Sequence, residues 1–287
     1  MKDYAALAAR IRAAAQPPVQ LRVYGQQFSP DGAEAYDLFI LTIPSQTPRP
    51  RFSVLLNGGT HGDEPAGPEA VVRFLETRRY RQWPAVAFTV TPCTNPWGYV
   101  NGKREGPGGT DLNRSFRRAT RLTPQITLHK RALRGQRFDL FIDCHEDVDA
   151  PGLYVFAPQP LGRAIVDAVR PLGPVHPGPL VDGEIPLVNG VVQFGSRRRR
   201  RRFSRLGTWP LPFYVARYHQ RDPAGSANPL GPSRSSRTVG RTGGTRIRQA
   251  STYASATVET PTRLPMRQRV RLHLAAIDAA LATLTEK

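Results

Sequence analysis

Three short strings in this chain carry residue types that do chemistry together: His61-Gly-Asp-Glu64, Asp111-Leu-Asn-Arg114 and Asp143-Cys-His-Glu-Asp147. The first offers an imidazole and a carboxylate three residues apart, and the last adds a second imidazole much further along. Two nitrogens and one carboxylate, from His61, Glu64 and His145, are the ligand set of a catalytic zinc, which keeps its fourth position open for water. Asn113 and Arg114 form a fork suited to a substrate carboxylate, because guanidinium and amide donors match its two oxygens. A metal-activated water beside a carboxylate clamp points to hydrolysis of a C-terminal peptide or N-acyl amino acid bond.

A His near a Glu is common on protein surfaces, so the argument depends on the elements that position them. His61 follows the apolar run Phe52 to Asn57 and the turn Gly58-Gly59, and His145 follows the apolar run Phe138 to Cys144. Both runs read as buried parallel strands, so both imidazoles fall at strand C-terminal ends, where open α/β sheets bind ligands. Helical periodicity from Gly67 to Tyr80 completes a strand–loop–helix unit around Glu64. Further helices are expected near 3–15, 125–133, 161–170 and 266–284, and strands near 21–27, 36–43, 85–92 and 152–158. The first two of these strands suit an antiparallel edge pair. The alternation predicts an α/β fold with a mixed, largely parallel central sheet and helices on both faces. Cys93 and Cys144 each end an expected core strand and read as buried free thiols, with Cys144 turned to the opposite face from His145.

The order HxxE, then Thr94 to Phe116 (TNPWGYVNGKREGPGGTDLNRSF), then CHED, then TVETP at Thr257 to Pro261 resembles the zinc carboxypeptidase superfamily, which includes the succinylglutamate desuccinylase and aspartoacylase branch. The resemblance covers roughly Phe52 to Phe156 and resumes near Thr257. It implies one zinc per chain held by His61, Glu64 and His145, with Asp111 orienting the His61 ring. It implies Arg104 as the group that polarises the scissile carbonyl, Asn113 and Arg114 as holders of the substrate carboxylate, and Glu259 as general base. The implied activity is metallocarboxypeptidase, with N-acyl amino acid deacylase as the alternative. Other readings of these residues remain open at this level. Asp111 could cap the turn after Gly108-Gly109. Lys103 rivals Arg104, and Glu146 and Asp147 rival Glu259, although Glu259 ends an apolar, β-branched stretch and so also belongs at a strand end.

Charge is distributed unevenly. Of the formal net charge of +19, the stretch Gly195 to Ala250 holds 14 arginines, no lysine and a single acid, Asp222. This stretch, which includes Arg197 to Arg202, is rich in Ser, Gly and Pro and lacks the apolar periodicity of a packed element. Around it, the 287 residues read as a single zinc-hydrolase domain. The stretch itself reads as an atypical insertion or a slip of reading frame, with a short strand expected at Leu211 to His219. A nucleic-acid-binding protein with a decayed metal site is the competing class, but the arginines are not interleaved with aromatic pairs of the kind that would stack on bases, so no nucleic-acid partner is expected. Relatives place a substrate-contacting tyrosine here; Tyr253 is the nearest candidate and is left unassigned. No apolar run reaches membrane-spanning length, and the opening residues lack the apolar core of a secretory signal, so a cytoplasmic product is expected.

Overall fold

A computed structural model of the chain describes residues 2–116, 123–193, 210–219 and 254–286. Among these, the strands are β1 (Gln20–Phe28), β2 (Ala35–Ile43), β3 (Phe52–Gly58), β4 (Val86–Thr91), β5 (Leu140–Asp147), β6 (Tyr154–Ala157), β7 (Leu180–Val181), β8 (Ile185–Pro186), β9 (Val191–Gln193) and β10 (Ala254–Pro261). Eight of them form one sheet in the order β1-β2-β4-β3-β5-β10-β6-β9, while β7 and β8 form a separate two-stranded ribbon. The central run β4-β3-β5-β10 is parallel, and antiparallel pairs bring in β2 and β1 on one side and β6 on the other. The expected mixed sheet and the β1–β2 edge pair are both present.

Helices cover both faces. On one face lie α1 (Tyr4–Ala14), α2 (Ala66–Glu76), α5 (Gln159–Val169) and α7 (Met266–Thr285), packed on Val54, Leu56, Leu140, Ile142, Ala256 and Val258. On the other lie α4 (Pro124–Ala132) and α6 (Leu211–Tyr218), packed on Ile40, Leu55 and Phe141. Successive strand residues point to opposite faces. Next along the second face of each strand, toward its C-terminal end, come polar groups: Thr91 on β4, Asn57 on β3, Asp143 and His145 on β5, and Thr257 and Glu259 on β10. The second face is therefore apolar in its middle and polar at the rim where parallel strands end. The site is built on that rim.

Three elements differ from expectation. Leu211 to His219 is helical rather than extended: Pro210 and Pro212 fit the start of a helix, and Leu211, Tyr214 and Val215 recur at helical spacing into the core. The helix after Glu64 stops at Glu76, and Arg78 turns the chain through a left-handed conformation (φ 52°) into a short 3₁₀ turn at Arg79–Gln82. A helix not foreseen, α3 (Pro96–Asn101), begins at Asn95, whose side chain accepts from the Gly98 N–H, and ends at Gly102. Most of the Arg-rich stretch, including Arg197 to Arg202, and Tyr253 lie outside the described residues. Among the described residues no helix is long and apolar enough to cross a membrane.

Candidate metal centre

His61 leaves the sheet just after β3, through a turn in which Gly59 takes φ +65°, a conformation that glycine adopts without a steric cost. Glu64 closes the same loop, immediately before α2. His145 is near the end of β5, beside β3 in the sheet. These positions bring the three side chains together although His145 is far off in sequence. Their ligating atoms lie within 4.8 Å of one another, and all three residues are buried. Glu64 is the centre of the group: its Oε1 lies 2.6 Å from His61 Nδ1 and its Oε2 lies 2.6 Å from His145 Nδ1. The Glu146 N–H also donates to Glu64 Oε2, at 3.1 Å.

Each ring turns its other nitrogen to an aspartate. His61 Nε2 is 3.3 Å from Asp111 Oδ1, and His145 Nε2 is 3.1 Å from Asp143 Oδ2. Asp111 precedes the 3₁₀ turn Leu112–Arg114 but makes no side-chain capping bond there. Its carboxylate faces His61 and Arg104 instead. Asp143 was not singled out from the sequence. The signal was present in the string Asp-Cys-His, since residues two apart on a strand share a face.

The electrostatics of this cluster favour a cation. Burial pulls both imidazoles down, but the Glu64 charge and the hydrogen bond to Asp111 raise His61 above the usual imidazole value. Likewise burial is outweighed at His145 by Asp143 and Glu64, which raise it well above that value. Burial alone would raise Glu64, yet the two adjacent histidines hold its carboxyl far below the ordinary range. Two nitrogens and a carboxylate oxygen in a buried cluster flanked by Asp111 and Asp143 are a donor set that fits a divalent ion such as zinc.

Arg104 reaches this cluster, with Nη1 at 3.4 Å from Glu64 Oε1 and Nε at 3.3 Å from Asp111 Oδ2. Its rival Lys103 lies over the Trp97 ring, 5.8 Å from the centroid. A buried amide network holds the Arg104 backbone: Asn95 Nδ2 donates to the carbonyls of Arg104 and Glu105, and Gln27 Nε2 donates to Asn95 Oδ1. Sequence reasoning passed over Asn95 and Gln27, because their partners lie on separate elements. Asn113 accepts the Leu211 N–H on Oδ1 at 2.9 Å, which leaves its NH₂ as the group able to donate to a carboxylate. Arg114 follows on the same 3₁₀ turn, with Nη1 donating to the Asn113 carbonyl.

Glu259 pairs in register with His145 across β10 and β5, and so stands beside the cluster on the same face. Burial pushes its carboxyl up to about 8; Glu64 adds to the shift and the two histidines oppose it. Glu146 leaves β5 from the opposite face. It accepts the Ala66 N–H at the start of α2 and pairs with Arg269 of α7. Asp147 accepts from the Tyr154 hydroxyl at 2.8 Å. Cys93 and Cys144 are buried and unpaired as thiols.

Residues 50–166 match the family model of the succinylglutamate desuccinylase/aspartoacylase catalytic domain. A comparison with curated protein sequences finds no match. Among solved structures, the chain is similar to a candidate metallopeptidase from Shewanella amazonensis SB2B, at 21% identity and a TM-score of 0.69, over 98% of this chain and 92% of that one. It is also similar to a metallo-carboxypeptidase from Burkholderia cenocepacia, at 17% identity and a TM-score of 0.64, over 97% of this chain and 68% of that one. A metallo-carboxypeptidase from Pseudomonas aeruginosa in complex with (2-guanidinoethylmercapto)succinic acid aligns at 16% identity and a TM-score of 0.56, over 99% of this chain and 68% of that one. These structural likenesses establish the fold. The central segment of the chain thus resembles the desuccinylase/aspartoacylase catalytic domain, and its sheet has the fold of the metallo-carboxypeptidases.

Proposed function

We propose that this protein is a zinc-dependent metallocarboxypeptidase that hydrolyses an amide bond next to a free carboxylate, with one zinc per chain and the described elements acting as a single hydrolase unit. The observation that carries this reading is the buried convergence of His61, Glu64 and His145, with Arg104 and Glu259 facing it from the same rim. A divalent ion held by those three residues would supply Lewis-acid polarisation of the carbonyl and make a nucleophilic water accessible near neutral pH. The chain's own groups do the rest. Glu259, as carboxylate, takes a proton from the attacking water and passes it to the leaving amine. Arg104 donates to the oxygen that gains charge, a contribution of about 3 kcal/mol for one well-placed donor. The Asn113 amide and Arg114 hold the substrate carboxylate.

A second reading, an N-acyl amino acid deacylase, is favoured by the family match over residues 50–166. Both need the same metal and the same carboxylate clamp, and they differ in what lies on the acyl side. We place the protein in the cytoplasm and assign it no nucleic-acid partner. The deciding experiment is a hydrolysis screen of purified, metal-analysed protein against blocked dipeptides with varied C-terminal residues, N-acetylaspartate and N-succinylglutamate. Release of the C-terminal residue from dipeptides supports the peptidase. Turnover confined to the acyl amino acids replaces it with the deacylase. Stoichiometric zinc with no hydrolysis of either class overturns both.

A further inference from the structure

Helix α6 starts against the carboxylate clamp. Its first N–H, on Leu211, donates to Asn113 Oδ1 at 2.9 Å, a bond between buried groups 98 residues apart in sequence. Leu211 is fully buried and Asn113 is only 7% exposed. Leu211, Tyr214 and Val215 share one core cluster with Leu112 and Phe116, so the helix lies on the turn that carries Asn113. The Phe116 and Tyr214 rings stand 5.6 Å apart between centroids. The far end of the helix is tied down separately: the Phe138 N–H, just before β5, donates to the His219 carbonyl at 2.7 Å.

The bond at the helix start has a direction that chemistry fixes. The first N–H groups of a helix have no partner inside it, so Leu211 needs an acceptor from elsewhere. A backbone N–H only donates, and of the two ends of an asparagine amide only the oxygen accepts. Left alone, such an amide turns about its last torsion between two comparable orientations. One presents NH₂ to a bound carboxylate. The other presents the oxygen, lone pairs against negative charge. The Leu211 N–H selects between them by claiming the oxygen for itself.

We propose that Leu211 is a positioning residue for substrate recognition: its N–H holds the Asn113 oxygen and so keeps the amide NH₂ turned to the substrate carboxylate. The inference rests on the reading that Asn113 and Arg114 hold that carboxylate. It gives α6 a part in choosing substrates by their charge and no part in the hydrolytic step.

Leu211→Pro removes this N–H with little change to the backbone. Proline suits the first position of a helix, and Pro210 already has the extended conformation (φ −61°, ψ 152°) that a following proline requires. Leu211→Ala loses the same side chain but keeps the N–H. The experiment measures kcat and KM of the full, zinc-loaded chain on the best substrate of the hydrolysis screen and on its carboxyl methyl ester. It compares wild type, both Leu211 variants and Asn113→Ala. Relative to Leu211→Ala, Leu211→Pro is expected to raise KM for the free acid by about 10- to 100-fold, the worth of one hydrogen bond to a charged group. Its kcat, and both constants for the ester, should change little, a split that loss of stability would not produce. An amide-to-ester replacement at residue 211 keeps the leucine side chain and removes only the N–H. It should show the same loss relative to wild type, and it decides the matter if the proline variant does not fold. If wild type hydrolyses no substrate, or Asn113→Ala affects acid and ester alike, the clamp reading falls and this inference with it. If Asn113→Ala raises KM for the acid alone, yet Leu211→Pro matches Leu211→Ala or the amide-to-ester chain matches wild type, this inference alone is overturned.

Discussion

Glu259 and Glu146 flank His145 from different strands and leave the sheet on opposite faces, and under the proposed function that difference separates their roles. Glu259, in register with His145, shares its face; Glu146, the next residue along β5, is turned under the sheet to Ala66 and Arg269. Glu259→Gln should therefore keep zinc and lose turnover by about 100- to 10,000-fold, because the near-isosteric amide cannot accept a proton. Glu146→Gln should keep most turnover but lose stability, by about 3 kcal/mol, since it removes one charge of a largely buried pair. Turnover at saturating substrate, zinc content and denaturant midpoints on both variants check the assignment. An inactive Glu146→Gln beside an active Glu259→Gln would exchange the roles.

The element that holds Arg104 is the loop between α3 and the 3₁₀ turn at Leu112–Arg114, and that loop hangs on one buried amide. Asn95 satisfies the Gly98 N–H and the carbonyls of Arg104 and Glu105. Asn95→Ala strands these groups, at a cost of roughly 1–3 kcal/mol for each buried group left unsatisfied. The expected result is a lower unfolding midpoint and slower turnover with zinc affinity nearly unchanged, since no metal ligand sits on this loop. Equal loss of zinc binding would mean that the loop also supports His61. Much of this architecture was legible in the sequence. Strands buried on both faces give continuous apolar runs, as at Phe52–Asn57 and Phe138–Cys144, and the residues after them mark the rim. The α6 segment was misread because its aromatic and β-branched content outweighed helical spacing. Asn57, Thr91 and Asp143, hydrogen-bonded in a row across three strands, were overlooked for a different reason. Their shared face follows from alternation, but their contact depends on which strands are neighbours and in what register, and no local pattern encodes that.

At the scale of the whole molecule, charge and buried imidazoles set the response to conditions. Trimming Arg197 to Arg202, which lie outside the described residues, should leave zinc affinity and turnover nearly unchanged while reducing adsorption to polyanions. Heparin-column retention and kinetics on the trimmed chain check this; a collapse of activity would tie the run to the site. A second expectation concerns acid. Burial lowers His129 to about 4, helped by His219, and lowers His219 itself to about 4. An unfolded histidine titrates near about 6.5. Between those values the unfolded chain binds more protons than the folded one, so stability is full above about pH 6.5 and is lost as pH falls toward 4, by up to roughly 1.4 kcal/mol per pH unit for each ring. Urea midpoints at pH 7 and pH 5 measure the loss, and His129→Phe should reduce the slope.

The place of β10 has a consequence for the making of the protein. This strand is the last in sequence, yet it lies between β5 and β6 in the middle of the sheet. A ribosome must therefore deliver residue 261 before the sheet can close, and until then β5 and β6 present open edges of the kind that invite pairing with other chains. The proposed base arrives on this same strand. A nascent or prematurely terminated chain could gather its histidines and Glu64 and still lack Glu259. Under the proposed function, the order of synthesis ties the onset of hydrolysis to closure of the sheet, and incomplete products carry exposed strand edges without the base.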